Sequence, residues 1–241
     1  GDKVRFRTSR GIGAPNLVAV GESSHRVGRD DVSLAGRRAI VVDDDPAVVW
    51  FFAGLLREAG ATVVECQDGS EALAIARKQR PDVILSDILM PGIDGLALCR
   101  EVQRDPLLSD VPVILLSWKE DFLQRMRELR SGASAYLRKE DAANQILERV
   151  KAVLRPRARF EARLREGGEV RGRVEGLGVL SILRSVATVR SDVRVTIRDA
   201  YNLFELEIRK GRVVHLTRTA SDGSFSRGPR ALPQLLGVTA G

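Results

Sequence analysis

A handful of side chains in this sequence have the types and spacing to do chemistry together. Asp43, Asp44 and Asp45 stand in a row after an apolar run, Asp87 and Ser117 close two further runs, and Lys139 follows a fourth. Gathering carboxylates is costly: a like-charged pair ~4 Å apart repels by ~4 kcal/mol at an effective dielectric of ~20. A cation must offset that repulsion. Hard carboxylate oxygens with open positions suit octahedral Mg²⁺, which keeps waters and accepts a phosphoryl oxygen. With the metal and the ammonium of Lys139 drawing off negative charge, one carboxylate can attack a phosphoryl donor and form an acyl phosphate.

The elements that must position these groups are visible in the hydrophobic pattern. From Arg37 onward, apolar runs of four to six residues alternate with segments of helical period, the signature of βαβ units on a parallel sheet. Strands are expected at 39–43, 62–66, 83–87, 111–117 and 135–138. Helices are expected near 46–59, 69–79, 94–104, 120–131 and 141–155, with Gly60 and Pro81 where C-terminal stops belong. Asp45 reads as a helix N-cap rather than a ligand. Five such units make a complete doubly wound α/β domain, in which ligands bind beyond the carboxyl ends of the strands where the strand order reverses. That rule brings Asp43, Asp44, Asp87, Ser117 and Lys139 to one crevice.

Four motifs in this order strongly resemble the receiver domain of two-component response regulators. They are Val41-Val42-Asp43-Asp44-Asp45-Pro46, Pro81-Asp82-Val83-Ile84-Leu85-Ser86-Asp87-Ile88-Leu89-Met90-Pro91-Gly92-Ile93-Asp94-Gly95, Pro112-Val113-Ile114-Leu115-Leu116-Ser117, and Gly132-Ala133-Ser134-Ala135-Tyr136-Leu137-Arg138-Lys139. The resemblance covers 37–155 and implies a five-stranded flavodoxin-like sheet of order 2-1-3-4-5. It implies that Asp87 accepts a phosphoryl group from a histidine kinase. Asp44 would touch Mg²⁺ directly and Asp43 through water, with Asp87 and the backbone carbonyl of Leu89 completing the protein's metal ligands. Ser117 and Lys139 would contact the phosphoryl oxygens, and Tyr136 would swing inward as Ser117 moves. The output would be a population shift of the face formed by the fourth helix, fifth strand and fifth helix, where a homodimer can also form. Two positions depart from the family pattern. Trp118 stands where a small residue is usual, and Glu140 stands where proline is usual, so the cis-proline bend of that loop is not available.

Charge separates the chain into parts. The overall net charge is +7; residues 37–156 carry 17 basic and 19 acidic residues, whereas 157–241 carry 16 basic and 9 acidic. A basic segment invites nucleic acid through phosphate neutralisation, yet 33 of the 39 basic residues are Arg throughout the chain, which reads equally as compositional bias. Residues 1–36 read as a tail or the stub of an upstream domain, and Gly1 in place of Met points to a trimmed chain or a fragment. Gly11-Ile12-Gly13-Ala14-Pro15 lacks the strand-to-helix context of a phosphate loop. No membrane span or signal peptide is expected, and the isolated Cys66 and Cys99 fit a reducing, cytoplasmic setting. His25 and His215 lack the spacing of a triad or a zinc site.

Residues 156–170 read as a linker with helical character, and 171–241 as a smaller α+β domain. Leu177, Leu180, Leu183 and Ala187 fall at helical spacing; three alternating strands follow, with Lys210-Gly211 as a hairpin turn, and a last helix over 230–236. One helix followed by three strands does not make a helix-turn-helix. The pattern from Gly172 through Glu175-Gly176-Leu177, Leu180-Ser181-Ile182-Leu183, Gly211-Arg212-Val213-Val214-His215 and Leu232-Pro233-Gln234-Leu235-Leu236 resembles the PATAN-type domain fused to bacterial receivers, which implies a non-enzymatic protein-interaction output. Two other readings stay open: a basic C-terminal domain that binds nucleic acid, and an unregulated scaffold disabled at Trp118 and Glu140. A haloacid-dehalogenase-type phosphatase is disfavoured by Ala47.

Overall fold

The computed structural model describes residues 32–118, 132–166, 177–189 and 192–237, and the backbone of 3–7 and 170–173. The helix expected near 120–131, the Gly11-to-Pro15 stretch, His25 and Glu175-Gly176 lie outside the described residues. The chain divides into two compact units. One comprises residues 32–158; the other draws on Lys3–Arg7 and on the chain from Arg159 onward.

The first strand, β1 (Lys3–Arg7), belongs to the second unit and is taken up with it below. In the 32–158 unit, strands β2 (Arg38–Val42), β3 (Thr62–Cys66), β4 (Val83–Asp87), β5 (Val113–Ser117) and β6 (Ala135–Arg138) form a parallel sheet of order β3-β2-β4-β5-β6. This is the 2-1-3-4-5 order expected. The strands β4 and β5 are buried along their whole length, as strands covered on both faces must be. Because successive side chains point to opposite faces, Val41, Leu85 and Ile114 pack on one side with Phe52, Leu56 and Ile146. Ile40, Val42, Ile84 and Leu115 pack on the other with Leu73, Leu98 and Cys99.

Helix α1 (Pro46–Glu58) starts at Asp45, whose carboxylate accepts the Ala47 N–H at 2.9 Å. Helix α2 (Gly69–Gln79) is capped by Asp68 and stops at Arg80, which adopts a φ of 48° before Pro81. Helix α3 (Gly95–Arg104) is capped by Asp94, which accepts the Ala97 N–H at 2.7 Å. At the amino end of the sheet, Asp82 is buried; it accepts the Arg38 N–H at 2.8 Å and pairs with Arg157 at 2.7 Å.

Helix α4 (Ala143–Glu166) runs unbroken through Pro156. The expected end near 155 and the expected linker from 156 are therefore one helix as far as Glu166. Sequence places a stop there because proline lacks the N–H that would bond the carbonyl four residues back.

The second unit departs further from expectation. Residues 1–36 are not simply a tail, because β1 pairs antiparallel with two strands at once, β7 (Val170–Arg173) and β8 (Asp192–Arg198). The full sheet runs β11 (Phe225–Arg227), β10 (Arg212–Ala220), β9 (Asn202–Arg209), β8, β1, β7. It has more strands than the three expected. Val193, Val195, Ile197, Phe204, Leu206 and Ile208 face a core completed by Val179, Ile182 and Val186 of α5 (Val179–Val189) and Leu235 of α6 (Leu232–Leu236). A short 3-10 turn, Gly228–Ala231, leads into α6 where one helix was expected. Lys210 and Gly211 have φ of 50° and 70°, the paired positive values that a tight I′ hairpin turn between β9 and β10 requires.

Gly95 sits where α3 crosses the end of β4: a Cβ there would lie 2.0 Å from the Asp87 carbonyl oxygen. Gly95→Ala is expected to cost about 1–3 kcal/mol of unfolding free energy through overpacking. Gly54→Ala, in an open position on α1, is expected to gain about 0.5–1 kcal/mol. Urea unfolding of both variants checks the pair.

Candidate functional site

Parallel pairing in register decides where the chemistry sits. Val42 pairs with Ser86, Asp87 with Leu116, and Ser117 with Arg138, so the carboxyl ends of β2, β4, β5 and β6 finish side by side. Asp43 follows β2, Asp87 ends β4, Ser117 ends β5, and Lys139 follows β6, its N–H donating to the Ser117 carbonyl at 2.9 Å. Asp43, Asp87, Ser117 and Lys139 are all buried and Asp44 is exposed.

Lys139 ties the group together. Its Nζ lies 2.6 Å from Asp43 Oδ2 and 3.0 Å from Asp87 Oδ1. Asp43 also accepts the Asp45 N–H at 3.1 Å. Burial pushes the carboxyls of both Asp43 and Asp87 above their ordinary range, although the Lys139 hydrogen bond and charge pull each back down. One ammonium facing two buried carboxylates leaves negative charge over. Asp43, Asp44 and Asp87 each offer a carboxylate oxygen, all within 4.8 Å of one another. Such a hard, oxygen-only donor set with an exposed member fits Mg²⁺ with waters retained, and it would suit softer metals poorly.

The remaining expected residues fall around this centre. Leu89 lies two residues beyond Asp87 and is 64% exposed; its apolar side chain has no ligand atom, so a backbone carbonyl is all it could offer a metal. Tyr136 is half-buried on β6, and with Arg138, Asp141, Gln145 and Glu148 it lines a groove between β6 and α4. Glu140 carries no cis bond before it and pairs with Arg138 at 3.0 Å.

Two features go beyond the sequence expectations. The Trp118 ring stands 5.6 Å from Lys139 Nζ, within cation–π range, while remaining 58% exposed. The sequence marks Trp118 as unusual but gives no hint that it would contact the lysine 21 positions later. Gly95 fits against the backbone of Asp87 itself, a close approach signalled by the glycine after Asp94.

Comparison with known proteins matches this arrangement to a family. Residues 39–151 match the response regulator receiver domain. Protein PilH of Pseudomonas aeruginosa is 33% identical over 117 residues, spanning 48% of this chain and 97% of PilH. This chain belongs to the response regulator receiver family. The DNA-binding response regulator MtrA of Mycolicibacterium smegmatis is 37% identical over 119 residues, covering 49% of this chain and 51% of MtrA. The chain thus spans nearly all of PilH but about half of MtrA. A receiver domain of a signal transduction histidine kinase from Syntrophus aciditrophicus aligns with a TM-score of 0.46 and 33% identity, over 50% of this chain and 91% of that one. Receivers serve two-component systems, interact with histidine kinases and bind Mg²⁺ at an acidic pocket. No described helix of this receiver protein is long and apolar enough to cross a membrane.

A sign follows from the raised carboxyls. A group protonated more readily folded than unfolded favours the fold at low pH, and that contribution is lost as pH rises from the unfolded value toward the folded one. With divalent cations chelated, the unfolding free energy of wild type relative to Asp87→Asn is expected to fall as pH rises above 3.8. Parallel stability curves for the two proteins from about pH 4 to about pH 7 would contradict it.

Proposed function

We propose that this protein is a phosphorylation-dependent switch in which Asp87 accepts a phosphoryl group from the phosphohistidine of a histidine kinase. The observation that carries the reading is the three-way contact of Lys139 with Asp43 and Asp87 beside the exposed Asp44. Mg²⁺ held by Asp43, Asp44, Asp87 and the Leu89 carbonyl would neutralise charge on the phosphoryl oxygens. An Asp87 oxygen forms a bond to phosphorus as the phosphorus–nitrogen bond of the donor histidine breaks. The Lys139 ammonium, already 3.0 Å from Asp87, then shifts its pairing toward the phosphoryl oxygens. The Ser117 hydroxyl donates to the same group.

Phosphorylation adds about −1.5 to −2 charge at a place where one ammonium already serves two carboxylates. Movement of Ser117 and Tyr136 would carry that change to the face that includes β6 and α4. The output is a binding change rather than new chemistry, so the protein acts as a cytoplasmic non-enzymatic regulator. Its second unit resembles a PATAN-type domain and would bind a protein partner; α5 is followed by the antiparallel run of β8 to β11 rather than by a second helix, which supports this against a helix-turn-helix output.

A second reading is an unregulated scaffold. Trp118 favours it, because an indole resting on Lys139 opposes the lysine's turn toward a phosphoryl group.

Incubation with a small phosphodonor and Mg²⁺ is expected to label wild type and leave Asp87→Asn unlabelled. Equal labelling of the two would end the assignment. If wild type is labelled but beryllofluoride with Mg²⁺ leaves the Tyr136 resonances unmoved, the scaffold reading replaces the switch.

A further inference from the structure

The sheet of the second unit has two unlike faces. On β8, Val193, Val195 and Ile197 are buried, while Arg194 and Arg198 are exposed on the opposite face with Thr196 half-buried between them. The backbone register extends this second row across two more strands. Lys3, Arg5 and Arg7 of β1 stand level with Arg198, Thr196 and Arg194, and Arg173 and Arg171 of β7 stand level with Lys3 and Arg5. Val4 and Phe6 instead share register positions with Ile197 and Val195 on the core side. Directly opposed residues of a pleated sheet share a face. Three neighbouring strands therefore place seven cationic residues on the face away from the core.

The described acids near them lie to one side of the row. Like charges directly opposite one another on adjacent strands destabilise a sheet, and the row Arg173, Lys3, Arg198 is such an alignment. Among the described residues, the acids on this face are Asp192 at the start of β8 and Glu205 and Glu207 of β9, the last two level with Thr196 and Arg194. Asp192 accepts the Lys210 N–H at 3.4 Å, and Glu207 pairs with Arg209 at 2.7 Å while also facing Arg194. These acids stand on β8 and β9, on the side of the row away from β7.

We propose that the face formed by β7, β1 and β8 binds the phosphate backbone of nucleic acid without reading sequence. Six of the seven cations are arginines, whose planar fork matches a phosphate in bidentate fashion. Alternate residues along a strand lie ~6.7 Å apart and neighbouring strands ~4.8 Å apart, a spacing that lets one phosphodiester chain meet several cations in turn. The outward positions of these three strands hold no aromatic or aliphatic residue. That disfavours a lipid surface, which an interfacial element enters with apolar side chains, and a protein partner, whose interfaces centre on buried apolar anchors. The proposal goes beyond the switch described above and does not rest on phosphoryl transfer at Asp87.

The full chain titrated against fluorescent single-stranded DNA, single-stranded RNA and duplex DNA tests it. Affinity is expected to fall linearly on a log–log plot against salt. Arg171→Gln with Arg173→Gln should lower the slope on duplex by about 2, at ~0.9 for each phosphate no longer neutralised, and Lys3→Gln with Arg5→Gln should do the same. Removing the same charge from the exposed receiver helix, by Arg100→Gln with Arg104→Gln, should leave the slope unchanged. Any of three results overturns the proposal: no salt-dependent binding to any of the three probes, an equal drop in slope from the receiver pair, or competition by polyglutamate as strong as by unlabelled DNA.

Discussion

Everything at the acidic end of the parallel sheet depends on one ammonium that serves two buried carboxylates. Lys139 reaches Asp43 and Asp87 because the parallel strands end together, and the strands end together because their hydrogen-bond register leaves no other choice. A single positive charge cannot satisfy both acids, and burial leaves each holding its proton more tightly than a free carboxyl would. The fold carries a standing electrostatic imbalance at this spot. Such an imbalance suits the pocket to a divalent cation, and in the proposed switch an added phosphoryl group would act on the same uncompensated charge.

The surrounding packing keeps that imbalance from relaxing. Strands β4 and β5 are sealed on both faces, and Gly95 lets α3 press directly against the Asp87 backbone, so Asp87 has no room to withdraw. Asp45 is committed to capping α1 and Asp94 to capping α3, which among the described residues leaves Asp43, Asp44 and Asp87 as the clustered acids of the crevice. Trp118 adds one more component: its indole lies over the ammonium on which the balance turns.

The 32–158 unit is legible in the sequence for a physical reason. A sheet buried on both faces needs unbroken apolar runs such as Val83-Ile84-Leu85 and Ile114-Leu115-Leu116, and those runs announce both the strands and the residues at their ends. Convergence of Asp43, Asp87, Ser117 and Lys139 follows from topology alone. What is not legible depends on contacts remote in sequence. Lys3–Arg7 alternates basic and apolar residues, yet five residues cannot name partners near 170 and 195. The four residues of β7 are as short. Pro156 looks like a stop, but a long helix can absorb one proline when the turns on either side are held, as Arg157 is held by Asp82. The approach of Trp118 to Lys139 is a matter of rotamer and loop path, on which spacing is silent.

The strand β1 has a consequence for how the molecule can be taken apart. Its sequence neighbours lie at the beginning of the chain and its sheet neighbours lie after the receiver, so the receiver is an insertion within the second unit rather than a bead before it. Cutting the gene at residue 157 would not release an intact module. The downstream piece would lack an interior strand, leaving β8 and β7 with bare backbone donors and acceptors where β1 had been, and open sheet margins of that kind invite self-association.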